Sequence, residues 1–219
     1  MHFNKQGYVV LKNAIDKKLA LFLYDYLLLK RKVATHLFKK NYFSPYDNIL
    51  GSLSDTQVPE TYCSYSDIAM ENLLINLKPL MEKIVKFKLV PTYSYTRAYK
   101  KGDILKRHKD RPSCEISTTL NLGGDPWPIF IDGTGSNNVI DEYKNIHKPN
   151  APKGTKITLK PGDMLIYKGC ELEHWREAFK GKDCVQTFLH YNRASKPNNN
   201  KFDGRSFLGL PSYFNSAPK

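Results

Sequence analysis

The sequence predicts one mainly β domain, a sandwich or barrel of short strands with helices packed on its outside. Two segments with helical spacing of apolar residues lie within the first 90 residues, and after Pro91 the period of the pattern changes to two. Turns containing glycine and proline then separate a series of short segments that are typical of strands. A chain of 219 residues is long enough for all of them to share one hydrophobic core.

The two helical segments lie at residues 15–38 and 67–87. In the first, leucine and aromatic residues recur every three or four positions, and Asp16 is of a type preferred at a helix N-cap. The second segment repeats the helical pattern and contains Pro79. Between them, SPYDNILGS at 44–52 predicts a loop, because proline and glycine interrupt regular structure.

Six segments predict strands. The first is TYSYTRAY at 92–99, where alternation places four side chains on one face: Tyr93, Tyr95, Arg97 and Tyr99. The other five are CEISTTLNL (114–122), WPIFID (127–132), TKITLK (155–160), DMLIYKG (163–169) and DCVQTFLHYN (183–192).

The chain therefore divides into three stretches of a single domain. Residues 1–90 are expected to supply an N-terminal strand and support helices, residues 91–195 the β core, and residues 196–219 an irregular tail that could act as a flap. We expect a cytoplasmic protein with reduced thiols. The N-terminus lacks a basic start followed by an apolar run, no apolar stretch approaches the roughly 18 residues of a membrane span, and the four cysteines show no paired spacing.

The net charge of +13 admits a nucleic-acid partner without requiring one. The lysines are spread along the whole chain, and asparagine is abundant as well, as in NNNK at 198–201. That mixture also arises from an AT-rich genome, whatever the function of the protein. The charge therefore does not identify the partner.

A candidate metal site lies in KRHKDRPSCEIS at 106–117. In a strand, residues i and i+2 point the same way, so His108 and Asp110 can converge on one ion while Lys109 faces away. A site of two histidines and one carboxylate needs a third ligand from a distant strand. On its own, His-X-Asp is common by chance and is more often a pair of surface strand residues or a His–Asp hydrogen bond than a metal site.

The residues around this motif resemble the iron(II)- and 2-oxoglutarate-dependent oxygenases, and most closely the prolyl-4-hydroxylase-like branch of phage and marine bacterial genomes. The resemblance covers about residues 90–192. A tyrosine, Tyr99, precedes His-X-Asp as in the family, and the strand PGDMLIY leads to a distal histidine, His174. The resemblance implies a double-stranded β-helix, or jelly roll, supported by the N-terminal helices.

The resemblance also implies the chemistry. The metal ligands would be His108, Asp110 and His174, the metal iron(II), and the cosubstrates 2-oxoglutarate and dioxygen. Such a dioxygenase hydroxylates an aliphatic C–H bond, here expected in a peptide, protein or small molecule, with a prolyl residue as one candidate, and releases succinate and carbon dioxide. Tyr99 would contact the cosubstrate.

The residue that anchors the distal carboxylate of 2-oxoglutarate departs from the family pattern. The family places a lysine or arginine about ten residues past the distal histidine, where this chain has Cys184 and Val185. An arginine is the best replacement, because its planar fork matches a carboxylate. Arg97 is preferred, since it shares a strand face with Tyr99. The alternatives are Arg176, Arg193 and Arg111.

Hydroxyl groups on the next strand are expected to complete the anchor. Thr118 sits where the prolyl hydroxylases have such a threonine, but alternation lets only one of Thr118 and Thr119 face inward. His190 has the spacing of an inward-facing residue, and we interpret it as a buried, hydrogen-bonded histidine of the core.

Two other functions remain open. The basic charge favours an oxidative demethylase of nucleic acid, although single-stranded nucleic acid would need aromatic residues among the basic ones. The missing basic residue at the usual position favours a non-enzymatic jelly-roll module that keeps the metal without the cosubstrate.

Overall fold

Three α-helices belong to the N-terminal part of the computed structural model, which describes residues 3–42, 44 and 47–214. They are α1 Phe3–Gln6, α2 Lys17–Lys39 and α3 Ile68–Val85. The longer two confirm the predicted helices, and an aspartate caps the N-terminus of each. The Asp16 carboxylate accepts the backbone N–H of Lys18 in the first turn of α2. The Asp67 carboxylate accepts backbone N–H groups in the first turn of α3. These bonds satisfy N–H groups that the first helical turn leaves without a partner.

The described residues also form twelve β-strands. They are β1 Tyr8–Leu11, β2 Tyr62–Tyr65, β3 Leu89–Lys100, β4 Leu105–His108, β5 Ile116–Gly124, β6 Ile129–Ile131, β7 Val139–Asp141, β8 Ile146–His147, β9 Thr155–Ile157, β10 Met164–Tyr167, β11 His174–Arg176 and β12 Asp183–Arg193. Ten form two antiparallel sheets, with the orders β1-β10-β5-β12-β3-β2 and β4-β11-β6-β9, while β7 and β8 form a separate hairpin. The predicted mainly β architecture is confirmed.

The two faces of the larger sheet have different partners. Ala98, Leu120 and Val185 belong to one apolar cluster with the buried faces of α2 and α3. Tyr99 and Phe188, on the opposite face, pack with Leu105 of the smaller sheet. A strand of alternating side chains can fill both layers at once, which explains the period of two in β3 and β12.

The structure corrects the predicted path of the chain around His108. β4 ends at His108, so Asp110 lies in the following loop rather than on the same strand. Three short strands, β2, β7 and β8, were not predicted, whereas β4 and β11 contain His108 and His174, two residues expected on strands. Each of these strands has two to four residues, too few to establish a period of two.

The C-terminal segment folds back over α3. Arg205 donates to Glu71 at 2.9 Å, and both side chains are buried. Asp203 accepts a hydrogen bond from the Tyr65 hydroxyl at 2.7 Å. Residues 215–219 of the predicted tail lie outside the described residues. In the part of the chain that the structure describes, no helix has the length and apolar character to cross a bilayer.

Candidate metal centre

Three side chains predicted to bind a metal converge inside the smaller sheet. His108 ends β4 and His174 begins β11, and the two residues pair across the strands with their rings 4.3 Å apart. Asp110 Oδ1 lies 3.5 Å from Nε2 of His108 and 3.4 Å from Nε2 of His174. All three ligand atoms lie within 4.8 Å of one another. This grouping could hold a metal ion.

The backbone sets the tautomer of both histidines. Nδ1 of His108 lies 2.8 Å from the carbonyl oxygen of Lys106, and Nδ1 of His174 lies 3.0 Å from that of Leu172. A carbonyl oxygen can only accept, so each Nδ1 carries a proton and each Nε2 faces the centre. A metal ion at the centre would therefore be bound through the two Nε2 atoms.

The Asp110 carboxylate is held from behind. Its backbone N–H donates to the carbonyl oxygen of Gly169 at 2.9 Å, and its Oδ2 accepts from the Ser117 hydroxyl at 2.6 Å. A Cβ at Gly169 would collide with Asp110 Oδ2, the Ser117 hydroxyl and the carbonyl oxygen of Cys114. The glycine is required because the carboxylate approaches the backbone closely.

Asp110 is ionised despite its burial. Desolvation acts to raise the pKa of this carboxyl group, but His174 and His108 outweigh it and hold the pKa well below its ordinary value. One carboxylate oxygen and two imidazole nitrogens are the donor set of a divalent transition metal.

A cavity of about 420 Å³ opens beside these ligands. Polar and aromatic side chains from the larger sheet form much of its wall, among them Tyr93, Tyr95, Thr119, Tyr167, Phe188 and His190. The loop at residues 55–57 contributes another part of the wall. The candidate metal centre is therefore open to a ligand from one side.

Arg176 is buried beside this centre without an acidic partner. It lies two residues after His174 on β11 and is 1 % exposed. Its Nη1 donates to the carbonyl oxygen of Trp127, while Nε and Nη2 have no hydrogen-bond partner among the described residues. Because burial disfavours its charged form, the pKa of Arg176 is lowered from its ordinary value.

Two hydroxyl groups share this lack of a partner. By distance and angle, the buried hydroxyls of Tyr99 and Thr119 have no hydrogen-bond partner among the described residues, while Arg97 and Arg176 both act electrostatically on the Tyr99 hydroxyl. The Tyr99 ring packs against Trp127 with 4.7 Å between centroids, and the Arg176 guanidinium lies 5.0 Å from the same ring. Buried polar groups in folded proteins are usually paired, so a group of donors left without partners indicates a site for an acceptor.

Arg97 has a different environment. Its Nε donates to Asp55 at 2.5 Å, and its Nη2 donates to Gln57 at 2.7 Å. Asp55 also accepts the Tyr95 hydroxyl at 2.9 Å. The Arg97 charge is therefore compensated by a loop residue, and the ion pair fastens that loop across the cavity.

The other candidate arginines are also paired. Arg111 makes two hydrogen bonds to Asp203, at 2.9 and 2.6 Å. Arg193 lies 3.4 Å from Glu115 and packs on an aromatic ring. Arg176 is thus the one candidate arginine that lacks an acidic partner in the described part of the chain.

The two threonines face opposite sides of β5, as alternation predicts. Thr119 lines the cavity, whereas the Thr118 hydroxyl accepts the backbone N–H of Leu189 on the neighbouring strand. His190 lines the cavity and contacts the Ser117 hydroxyl at 3.0 Å. Burial lowers the pKa of His190 to about 4, so the ring is neutral near pH 7.

Three residues of the centre were not predicted from the sequence. Tyr167 lines the cavity with its hydroxyl 3.4 Å from His174 Nε2, and Ser117 and Gly169 position Asp110. The sequence contained a signal for Tyr167, because this residue ends the strand that precedes His174 in the chain. Ser117 and Gly169 carried none, because their role depends on a loop folded against them.

Comparisons with known proteins agree on the fold. No family model matches the chain, and no curated protein matches its sequence. HygX from Streptomyces hygroscopicus, solved with nickel, 2-oxoglutarate and hygromycin B, superposes with a TM-score of 0.58 at 13% identity, covering 88% of this chain and 85% of that chain. A Pseudomonas putida prolyl-4-hydroxylase gives 0.55 at 12% identity, covering 88% and 96%. SnoN, a non-heme α-ketoglutarate-dependent epimerase from nogalamycin biosynthesis, gives 0.62 at 12% identity, covering 99% and 92%.

These structures share a jelly roll with this chain, which confirms the fold class expected from the sequence. HygX has also been solved with iron bound. The proteins with this fold catalyse different reactions, since a hydroxylase, an epimerase and the carbocyclase SnoK all match. The fold alone therefore does not identify the reaction, and the function must be inferred from the side chains of this chain.

Proposed function

We propose that this protein is an iron(II)- and 2-oxoglutarate-dependent oxygenase. His108, Asp110 and His174 would hold the metal, and Arg176 would bind the distal carboxylate of 2-oxoglutarate. The observation that carries the proposal is the buried, unpaired guanidinium on the same strand as one of the three metal ligands.

The donor set fits iron(II). Two imidazole nitrogens and one carboxylate on one side of an ion leave the remaining positions open to ligands. When bound, the iron would couple oxidative decarboxylation of 2-oxoglutarate by dioxygen to oxidation of a substrate C–H bond. The residues of the chain orient both imidazoles through Nδ1, hold Asp110 ionised and aim all three groups at one point.

The unpaired donors fit a carboxylate. Nε and Nη2 of Arg176 form a fork, and the hydroxyls of Tyr99 and Thr119 offer two more hydrogen bonds. This assignment replaces Arg97, the residue preferred from the sequence, because Asp55 already compensates that charge. It also removes the argument for a non-enzymatic module, which depended on the lack of an anchor.

The volume of the cavity favours a substrate that is small or that inserts only a small part of itself. About 420 Å³ must receive both 2-oxoglutarate and the reacting part of the substrate. Pockets of roughly 300–1,000 Å³ accommodate small molecules, so this cavity suits a small molecule or one residue of a peptide. We propose hydroxylation of an aliphatic carbon on such a substrate, a prolyl residue included. The net charge of +13 is the one feature that favours nucleic acid instead.

Anaerobic titration with iron(II) and 2-oxoglutarate tests the proposal. Chelation of the metal by the 2-oxo acid should produce a visible charge-transfer band, and His108→Ala should abolish it. After admission of oxygen, the wild type should convert 2-oxoglutarate to succinate slowly without substrate. Bound metal with neither a band nor succinate would contradict the proposal and favour a binding module.

A further inference from the structure

A buried network of charges lies directly behind the two histidines. Arg107 precedes His108, and its guanidinium donates to Glu173 at 2.7 Å and to Asp132 at 2.5 Å. Its third nitrogen donates to the carbonyl oxygen of Pro152 at 2.7 Å. All three charged side chains are at most 5 % exposed. The fork therefore connects β4 with the start of β11 and the end of β6.

The network lies where the strand pairing is irregular. His174 pairs with His108, but Arg176 pairs with Leu105. An advance of two residues along β11 therefore corresponds to three residues along β4. An extra residue of this kind is a β-bulge, which disrupts the ladder of hydrogen bonds and changes the aim of neighbouring side chains. Arg107 lies inside the bulge. Its side chain bonds residues beside the neighbouring strands at this point, next to both histidines.

Further contacts fix the network itself. Glu173 accepts the backbone N–H groups of Asn138 and Val139. The Asn138 side chain donates to both carboxylates, at 3.1 Å to Asp132 and 3.0 Å to Glu173. The Arg107 guanidinium also lies 4.2 Å from the centre of the Trp175 ring. Each charged group has several partners, so the network is rigid.

We propose that Arg107 and Glu173 are positioning residues that set the separation and aim of the two histidine ligands. Each immediately precedes a histidine, so a shift of the network moves the backbone of His108 and His174 directly. Two carboxylates share one guanidinium, which leaves a net negative charge behind the imidazoles and favours a divalent cation in front of them. This inference rests on the proposed function in one respect, that His108, Asp110 and His174 bind a metal.

Cobalt(II) is the probe that tests the positioning role of Arg107 and Glu173, because the visible spectrum of the bound ion reports ligand geometry without any turnover. Arg107→Lys retains the charge but loses the fork, and Glu173→Gln retains the shape but loses the charge. We expect both variants to bind cobalt(II) about 10- to 100-fold more weakly than the wild type, with altered visible bands, as for other residues that orient metal ligands.

A matched pair of controls separates positioning from general stability. Glu71 and Arg205 form another buried ion pair, away from the metal ligands, that fastens the C-terminal segment to α3. Glu71→Gln and Arg205→Lys should lower the unfolding temperature but keep the cobalt(II) affinity and spectrum of the wild type. All titrations are made below the unfolding temperature of each variant.

The possible outcomes are distinguishable. Wild-type affinity and spectrum in Arg107→Lys and Glu173→Gln would overturn the inference, as would an equal loss in the control variants. If the wild type binds no cobalt(II), or if His174→Ala binds it equally well, the proposed metal site itself is wrong. Weaker binding and altered bands confined to Arg107→Lys and Glu173→Gln would support the inference.

Discussion

Replacing Arg176 with methionine should remove 2-oxoglutarate binding while leaving the fold intact. Two guanidinium nitrogens, Nε and Nη2, are buried without a partner among the described residues, and they are the donors proposed to bind the cosubstrate. Hydrogen bonds to a charged group contribute about 1.5–3 kcal/mol each, so two of them amount to at least about 3 kcal/mol. Since about 1.4 kcal/mol corresponds to a factor of ten, Arg176→Met should weaken 2-oxoglutarate at least about 100-fold.

Arg176→Met should also have an unusual effect on stability. Breaking a buried ion pair typically costs about 3–5 kcal/mol, because it leaves the other charge uncompensated. Arg176 has no acidic partner among the described residues, so methionine removes an unpaired charge and keeps most of the volume. The loss of its bond to the Trp127 carbonyl oxygen opposes this gain. We therefore expect the ligand-free variant to unfold at a temperature no lower than that of the wild type.

Arg97→Met is the matched control. Arg97 is also a buried arginine near the cavity, but its partner is Asp55. Its replacement should destabilise the protein by about 3–5 kcal/mol, since it leaves the Asp55 carboxylate uncompensated. Arg97→Lys supplies a milder variant if the first does not fold.

The assay is anaerobic binding of 2-oxoglutarate to the metal-loaded proteins, combined with thermal unfolding of the metal-free proteins. The expected pattern is lost affinity with retained stability in Arg176→Met, and retained affinity with lost stability in Arg97→Met. Wild-type affinity in Arg176→Met, or a 100-fold loss confined to Arg97→Met, would refute the assignment.

Three further predictions concern residues around Asp110. Gly169→Ala should displace the Asp110 carboxylate and greatly weaken cobalt(II) binding, whereas Gly133→Ala, whose new Cβ would lie 3.3 Å from its nearest neighbour, should bind cobalt(II) normally. Equal affinities in these two variants would contradict the steric argument. Ser117→Ala removes one hydrogen bond to Asp110 and should weaken cobalt(II) about tenfold by isothermal titration. Unchanged affinity would show that Asp110 is held by its backbone alone. The pKa of His190 is lowered from 6.5 to about 4 in the folded state. The stability that the neutral ring contributes is therefore complete above pH 6.5 and is lost as pH falls toward 4. Denaturant unfolding of the metal-free protein should show about 3 kcal/mol of stability lost across that range, and His190→Gln should abolish this part of the loss. Identical pH dependence in both proteins would refute the shift.

The sequence was informative wherever the cause of a structure is local. The N-caps Asp16 and Asp67 start the long helices because a carboxylate reaches N–H groups two or three residues away. Strand β3 follows from alternation, since one face packs against helices and the other lines the cavity. The spacing of His108, Asp110 and His174, with its resemblance to a known family, was enough to predict which side chains would meet.

The sequence did not reveal which arginine is free, because compensation of a charge depends on residues far away in the chain. Asp55 lies 42 residues before Arg97, and Asp203 lies 92 residues after Arg111. Both acids come from irregular segments, which show no period that would place them. The same reason applies to Gly169, whose missing side chain matters only because a loop brings the Asp110 carboxylate against it.

The sequence by itself therefore determined the fold class, the long helices and strands, and the three candidate ligands. Hydrophobic periodicity and capping act over a few residues and can be read directly along the chain. Only the tertiary structure decided that Asp110 follows a strand rather than lying in it, and that Arg176 has no acidic partner among the described residues. Those features depend on how distant segments pack together, because burial and the pairing of charges are properties of the folded chain.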